Sequence, residues 1–129
     1  MDNLLENNFI NNFIVKEKQQ RLIYEFSNSK KRKTALLRFS HSVEDIVINK
    51  YIKQRCNVDN VINNLLLSKK VYIISLEKLE GELCKNDEAI NHLKEQYMPV
   101  IIIDNDIVII KSENEESKNN IFILKKIVN

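Results

Sequence analysis

One short stretch of the sequence concentrates the side chains that could bind an anion. Residues 30–42 contain five Lys or Arg side chains and one histidine, and no acidic residue follows until Glu44. Cationic side chains attract phosphate groups and carboxylates, and they accelerate the approach of a negatively charged partner. The candidate binding residues of this basic segment are Lys30, Lys31, Arg32, Lys33, Arg38 and His41.

Helical geometry sorts the basic segment into two sides. At about 100° per residue, four polar residues share roughly one quadrant of a helix: Lys31, Thr34, Arg38 and His41. The opposite side is apolar and consists of Ala35, Leu36 and Phe39. Arg32 falls on the apolar side, so it must either extend its guanidinium group to solvent or pair with an acid.

A hydroxyl, an imidazole and a carboxylate also follow one another at Ser40, His41 and Glu44. A hydrolytic triad needs such groups to converge in space, which sequence neighbours rarely do, and no glycine-containing elbow is present. We expect Ser40 or Ser42 to cap a helix and His41 to form local hydrogen bonds. If the protein were an enzyme, Arg38, His41 and Glu44 would be the first residues to replace.

Other reactive residue types are too scattered to predict a metal or cofactor site. The candidates His41, His92, Cys56 and Cys84 lack the paired spacing of zinc ligands, and we expect His92 on an exposed helix face. The acidic stretch 77–82 contains the single glycine, Gly81, which predicts a surface turn with an unusual backbone angle. The acids Glu113, Glu115 and Glu116 indicate a solvated loop, or a binding surface of opposite sign.

Composition predicts one domain over residues 1–129, with a core that needs no disulfide staples. Two cysteines are typical of free thiols in a reducing compartment. Residues 1–6 lack the pattern of a signal peptide, and Asp104 and Asp106 interrupt the most apolar region, so we expect a cytoplasmic protein without a membrane span. The abundance of Asn, Ile and Lys suggests a bacterial genome of low GC content.

Charge divides the chain at residue 70. Residues 1–69 hold 12 Lys and Arg against 7 Asp and Glu, a net charge of +5, whereas residues 70–129 hold 8 against 11, a net charge of −3. The first part is predicted to be helical and the second to be rich in strands. The two parts could therefore satisfy part of their charge by facing each other.

Apolar periodicity predicts an α+β fold, in which N-terminal helices precede a β-α-β-β-β unit. The predicted helices cover 2–14, 17–26, 30–39 with Ser29 as N-cap, and 86–97, and further helices begin at Ser42 and at Asn57 or Asp59. The predicted strands cover 71–75, 100–103, 107–110 and 121–127. These four strands would form a mostly antiparallel or mixed sheet, with a hairpin turn at Asn105 and Asp106.

The sequence favours a protein-interaction module without enzymatic activity, of the immunity-protein, antitoxin, inhibitor or adaptor type. The expected partner is a protein with an acidic surface, since segregated charge steers association. The alternative is a nucleic-acid-binding protein that uses the basic helix 30–38. Its net charge of +2 is low for that role, and no aromatic residue lies among the charges to stack on bases. An enzyme ranks third, because no spacing requires catalysis.

Overall fold

Helices and one antiparallel sheet make up the computed structural model, which describes residues 2–57, 68–95, 98–112 and 120–126. The helices are α1 (Asn3–Phe13), α2 (Lys16–Ser27), α3 (Arg32–Ser40), α4 (Val43–Ile46) and α5 (Asn86–Glu95), with a short 3-10 turn at Asn49–Tyr51. The predicted helix from Asn57 or Asp59 lies outside the described residues. Within the described residues, no helix is long and apolar enough to cross a bilayer.

The sheet has six strands in the part of the chain that the structure describes. They are β1 (Ile52–Cys56), β2 (Lys70–Ser75), β3 (Glu82–Lys85), β4 (Val100–Asp104), β5 (Ile107–Lys111) and β6 (Ile121–Lys125). Their order is β1-β6-β5-β4-β2-β3, and every neighbouring pair is antiparallel. The predicted α+β class is confirmed, whereas the predicted four-stranded sheet is wrong by two strands.

The two strands that sequence reasoning missed lie at the edges of the sheet. β1 is rich in charged and polar residues and buries only Cys56, and its pairing with β6 is irregular between Ile52 and Gln54. β3 likewise buries only Cys84. Edge strands commonly carry charged side chains because these discourage pairing with other chains. The same charges hide the apolar signal by which a strand is predicted.

The inner strands are buried on both faces. Because side chains alternate along a strand, one face presents Tyr72, Ile74, Ile101, Ile103, Val108 and Ile110 to a core shared with α1, α2 and α3. The other face presents Val71, Ile73, Val100, Ile102 and Ile109 to a core shared with α5. The helical and strand-rich parts of the chain therefore share one of the two cores.

The turn before α3 is built by Asn28, so the predicted N-cap role of Ser29 is wrong. The backbone carbonyl of Asn28 accepts hydrogen bonds from the N–H groups of Lys31 (3.0 Å) and Arg32 (2.9 Å). The side-chain oxygen of Asn28 accepts a third from the N–H of Lys30, at 3.0 Å. These bonds start α3 at Arg32, and its preceding residue, Lys31, forms no side-chain cap.

Turn chemistry at two other positions agrees with the sequence. Gly81 has a φ angle of 68°, in the left-handed region that glycine adopts without a steric penalty. Asn105, in the β4–β5 hairpin, has a φ angle of 51°, which asparagine tolerates better than most residues. The helix predicted to begin at Ser42 is α4, with Glu44 and Asp45 in its first turn.

Candidate binding surface

Helix α3 has one buried side and one exposed side, and it separates its cations between them. Ala35, Leu36 and Phe39 are in the core, which confirms the predicted apolar stripe. Arg32 is buried with them, whereas four other cations of the basic segment are exposed to solvent: Lys30, Lys31, Lys33 and Arg38. We refer to these four residues and the exposed His41 as the α3 basic surface.

Arg32 satisfies its buried charge completely. Its Nη1 and Nη2 donate to the two carboxylate oxygens of Glu6 on α1, at 2.5 and 2.6 Å. Its Nε and Nη2 donate to the two oxygens of Glu80, both at 2.9 Å, and Nη1 also donates to the carbonyl of Phe26 at 2.8 Å. A guanidinium group has five N–H donors, and all five are used. Of the two predicted alternatives for Arg32, exposure to solvent or pairing with an acid, the structure shows the pairing.

The electrostatics of this cluster raise the pKa values of Arg32 and Tyr72. Burial alone would lower the pKa of Arg32, but its hydrogen bonds to Glu6 and Glu80 outweigh burial and raise that pKa above its ordinary value. Burial, with the nearby carboxylate of Glu6, raises the pKa of Tyr72. The hydroxyl of Tyr72 therefore keeps its proton and donates it in a hydrogen bond to Glu6. The cluster joins α1, α3 and the sheet.

The lysines of the α3 basic surface lack such compensation. Within the described residues, no carboxylate pairs with the ammonium group of Lys30, Lys31 or Lys33. Lys31 instead lies with its Nζ 5.3 Å from the ring centre of Tyr24, a cation–π contact with a tyrosine that is 55% exposed. Residues 16–41 hold eight Lys and Arg against two Glu, so the hairpin of α2 and α3 carries a net charge of +6.

Arg38 differs from the buried Arg32 and from the three lysines because it lies at the rim of a cleft. Its Nη2 donates to the Oε1 atom of Glu25 on α2, and its side chain remains 41% exposed. Arg21 approaches the same Oε1 atom, with its Nε at 3.3 Å. The cleft runs between α2, α3 and α4 and has a volume of about 270 Å³.

The structure does not bring the hydroxyl, imidazole and carboxylate of residues 40–44 together as a triad. The Ser40 hydroxyl donates to the carbonyl of Leu37 at 2.7 Å, so it caps no helix N-terminus. Ser42 stands at the N-cap position of α4, as predicted for one of the two serines, but its side chain forms no capping hydrogen bond. The Glu44 carboxylate accepts from Arg55 on β1. His41 occupies the C-terminal end of α3, and its N–H donates to the carbonyl of Arg38 at 3.3 Å.

The other reactive residue types are spread over the molecule. Cys56 and Cys84 are free, buried thiols on the two opposite edge strands, and burial raises the pKa of each. His92 is buried on the inner side of α5, so the predicted exposed position is wrong. Across the described ranges, no group of three His, Cys, Asp or Glu side chains is placed to hold a metal ion. Glu113, Glu115 and Glu116 lie outside those ranges.

Sequence reasoning missed the residues that α2 and the β2–β3 turn contribute. Tyr24 and Glu25 lie only seven to thirteen positions before the residues they contact, and the helical pairing of Arg21 with Glu25 at i, i+4 is a signal that sequence carries. Glu80 left no such signal. It lies 48 residues from Arg32, in a stretch that is predicted only as a surface turn.

Comparison with known proteins adds no relative. No protein-family model, no curated protein and no solved structure matches the chain.

Proposed function

We propose that the protein is an interaction module without enzymatic activity, and that it binds an acidic surface of a protein partner through the α3 basic surface. It would act as an immunity protein, antitoxin, inhibitor or adaptor. One observation carries the proposal: α3 uses Arg32 to hold the fold and presents its remaining cations to solvent. Lys30, Lys31 and Lys33 have no carboxylate partner among the described residues, so folding leaves their charge available.

Charge reversal on the α3 basic surface tests this proposal. The double variant Lys31→Glu and Lys33→Glu changes the net charge by −4 without touching a described ion pair. Lys85→Glu with Lys94→Glu is the matched control, since it makes the same change at exposed residues of β3 and α5. Each protein is immobilised and exposed to a lysate of the source cells, and captured proteins are identified by mass spectrometry.

The expected result is an acidic protein that the wild type and the control capture and the α3 variant does not. With that protein purified, its association rate constant should fall about tenfold or more on α3 charge reversal and should also fall with salt. If the α3 variant captures the same proteins as the wild type, with the same rate constants, the α3 basic surface is not the binding site.

Tyr24 supports a second candidate function, the binding of single-stranded nucleic acid. Tyr24 is 55% exposed beside Lys31, so the structure supplies an accessible aromatic group, whereas Phe39 of the basic segment is buried. Bases stack on such rings, while lysines neutralise the phosphates. A labelled 20-nucleotide oligothymidine should then bind with an affinity that falls steeply with salt and is lost in Tyr24→Ala. Absent or salt-insensitive binding removes this candidate.

A further inference from the structure

The cleft beside Arg38 has the size of a side-chain pocket. Its volume of about 270 Å³ lies just under the range of roughly 300–1,000 Å³ that is usual for small-molecule sites. It is formed where α2, α3 and α4 meet, and it adjoins the α3 basic surface through Arg38, which belongs to both. A ligand on the α3 basic surface can therefore reach into the cleft.

Arg38 has the hydrogen-bonding capacity to hold a ligand there. One of its five N–H groups donates to Glu25, and the others bond to no described residue. This contrasts with Arg32, six residues earlier on the same helix, in which every N–H group is used. A guanidinium group with an unused edge can bind a carboxylate through two parallel hydrogen bonds.

The charges around the cleft favour an anionic group. Lys18, Arg21 and Arg38 line it with positive charge, against the carboxylates of Glu25 and Asp45. Glu25 is largely buried, and its Oε1 atom is shared by Arg21 and Arg38. Three cations thus face two anions, so one additional carboxylate would balance the site. Glu25 itself occupies part of the position that such a carboxylate would take.

Two of the residues that line the cleft, Leu22 and Ile46, are aliphatic. Leu22 of α2 is 5% exposed, and Ile46 of α4 packs against the same core while it remains partly accessible. A purely ionic ligand would leave this aliphatic surface in contact with water. A ligand that places a branched apolar side chain next to its carboxylate would cover it, and burial of apolar surface is favourable.

We propose that this cleft is the anchor site of the α3 basic surface, and that it receives one Asp or Glu side chain of an acidic partner segment together with an adjacent aliphatic residue. The inference rests on the proposed function and names the partner's contact: a carboxylate on Arg38 and an aliphatic side chain against Leu22 and Ile46. The lysines of the α3 basic surface then contribute attraction, and the cleft contributes sequence preference.

Two labelled peptides test the anchor site. One alternates glutamate and serine, and the other is identical except for a leucine beside its central glutamate. Fluorescence anisotropy measures their affinity for the wild type, where the leucine peptide should bind about tenfold more tightly. In NMR spectra, the leucine peptide should shift the methyl signals of Leu22 and Ile46.

Three single variants separate the cleft from the rest of the surface. Arg38→Lys keeps the charge beside Glu25 but loses the forked donor, so the preference for leucine-glutamate should fall about tenfold. Arg55→Lys is the matched control, an arginine of similar exposure that is paired with Glu44 outside the cleft. Glu25→Gln removes the internal competitor and should raise the affinity several-fold, a gain that misfolding cannot produce.

The possible outcomes distinguish this inference from the proposed function. If both peptides bind equally and Arg38→Lys matches the wild type, while Lys31→Glu with Lys33→Glu abolishes binding, the anchor site is refuted and the proposed function stands. If neither peptide binds and no acidic protein is captured, both are refuted. Leucine preference, methyl shifts and a gain in Glu25→Gln together support the anchor site.

Discussion

Two arginines on α3 show how the bonding of a single residue separates structural from available charge. Arg32 is 4% exposed, and it donates to two carboxylates and a carbonyl, so its charge is neutralised inside the molecule. Arg38 shares one carboxylate oxygen with Arg21 and keeps most of its donors for solvent or a ligand. Both arginines form ion pairs, so an ion pair alone does not distinguish them. The number of N–H groups left without an acceptor indicates which arginine can bind a partner.

Removal of Arg32 should destabilise the fold strongly. Arg32→Met would leave the buried carboxylate of Glu6 without its cation, and breaking a buried pair in this way costs about 3–5 kcal/mol. Arg21→Met is the control, because Arg21 is exposed and surface pairs contribute only about 0–1 kcal/mol. Urea unfolding measures the free energy of unfolding of both variants. A loss below about 1 kcal/mol for Arg32→Met would contradict the structural role.

The sequence predicts that Arg32 needs an acidic partner if it is buried, but it does not predict which acids pair with it. Its place in an apolar helical stripe follows from spacing alone. Glu6 and Glu80 lie 26 and 48 residues away, and only the packing of α1 and of the β2–β3 turn brings them to one guanidinium group. The same limit applies to the cleft, whose residues come from three helices that must first be packed together.

At the scale of elements, α5 places the histidine His92 in the core between the helix and the sheet. Its Nε2 atom is buried and has no hydrogen-bond partner among the residues that the structure describes. Nearby, Lys111 of β5 donates from its Nζ to the carbonyl of Leu93 at 2.6 Å. Burial lowers the pKa of His92, the charges of Lys78 and Lys111 lower it further, and those of Glu95 and Glu77 oppose them. Burial also lowers the pKa of Lys111.

His92 should make the protein less stable in mild acid. The unfolded chain binds a proton near the ordinary histidine pKa of about 6.5, whereas folded His92 resists it, so stability falls as the pH drops below that value. The loss is about 1.4 kcal/mol for each unit by which the pKa is lowered. Urea unfolding at pH 7.5 and pH 5 should show a smaller loss for His92→Leu than for the wild type.

The His41→Gln variant, at an exposed position, is the comparison for the loss of a histidine as such. Equal losses in His92→Leu and the wild type would show that the unpaired imidazole does not govern acid stability.

The burial of His92 could have been predicted from the sequence, since it lies three residues after Ala89 and next to Leu93, on the inner side of the helix. The edge strands β1 and β3 could not be predicted in this way, because their charged side chains mask the apolar alternation of a strand.

At the scale of the whole molecule, the sheet separates the two cysteines. They lie on the first and last strands in the order of the sheet, and five interstrand spacings of about 4.8 Å place them roughly 24 Å apart. A disulfide requires Cα atoms within about 7 Å. The prediction of two free thiols therefore gains a geometric reason that composition alone did not give.

Both thiols should react slowly in the folded protein. They are 3% and 7% exposed, and burial raises their pKa values, so the reactive thiolate is scarce and shielded. Labelling with a thiol reagent should be about 100-fold slower in buffer than in urea, for the wild type and for Cys56→Ser and Cys84→Ser alike. Rapid labelling of a single variant in buffer would contradict this prediction. It would show that the edge strand carrying the remaining cysteine is exposed.

The Asn28 turn and the Arg32 cluster have a consequence for the kinetics of recognition. They fix the first turn of α3 from both sides, so the backbone beneath Lys31 and Lys33 is already ordered before any partner arrives. In the proposed binding, the first turn of α3 does not have to fold, and immobilising each of its lysine side chains costs about 0.5–1.5 kcal/mol. We expect encounter by near-rigid docking, in which complexes with related partners differ in lifetime more than in rate of formation.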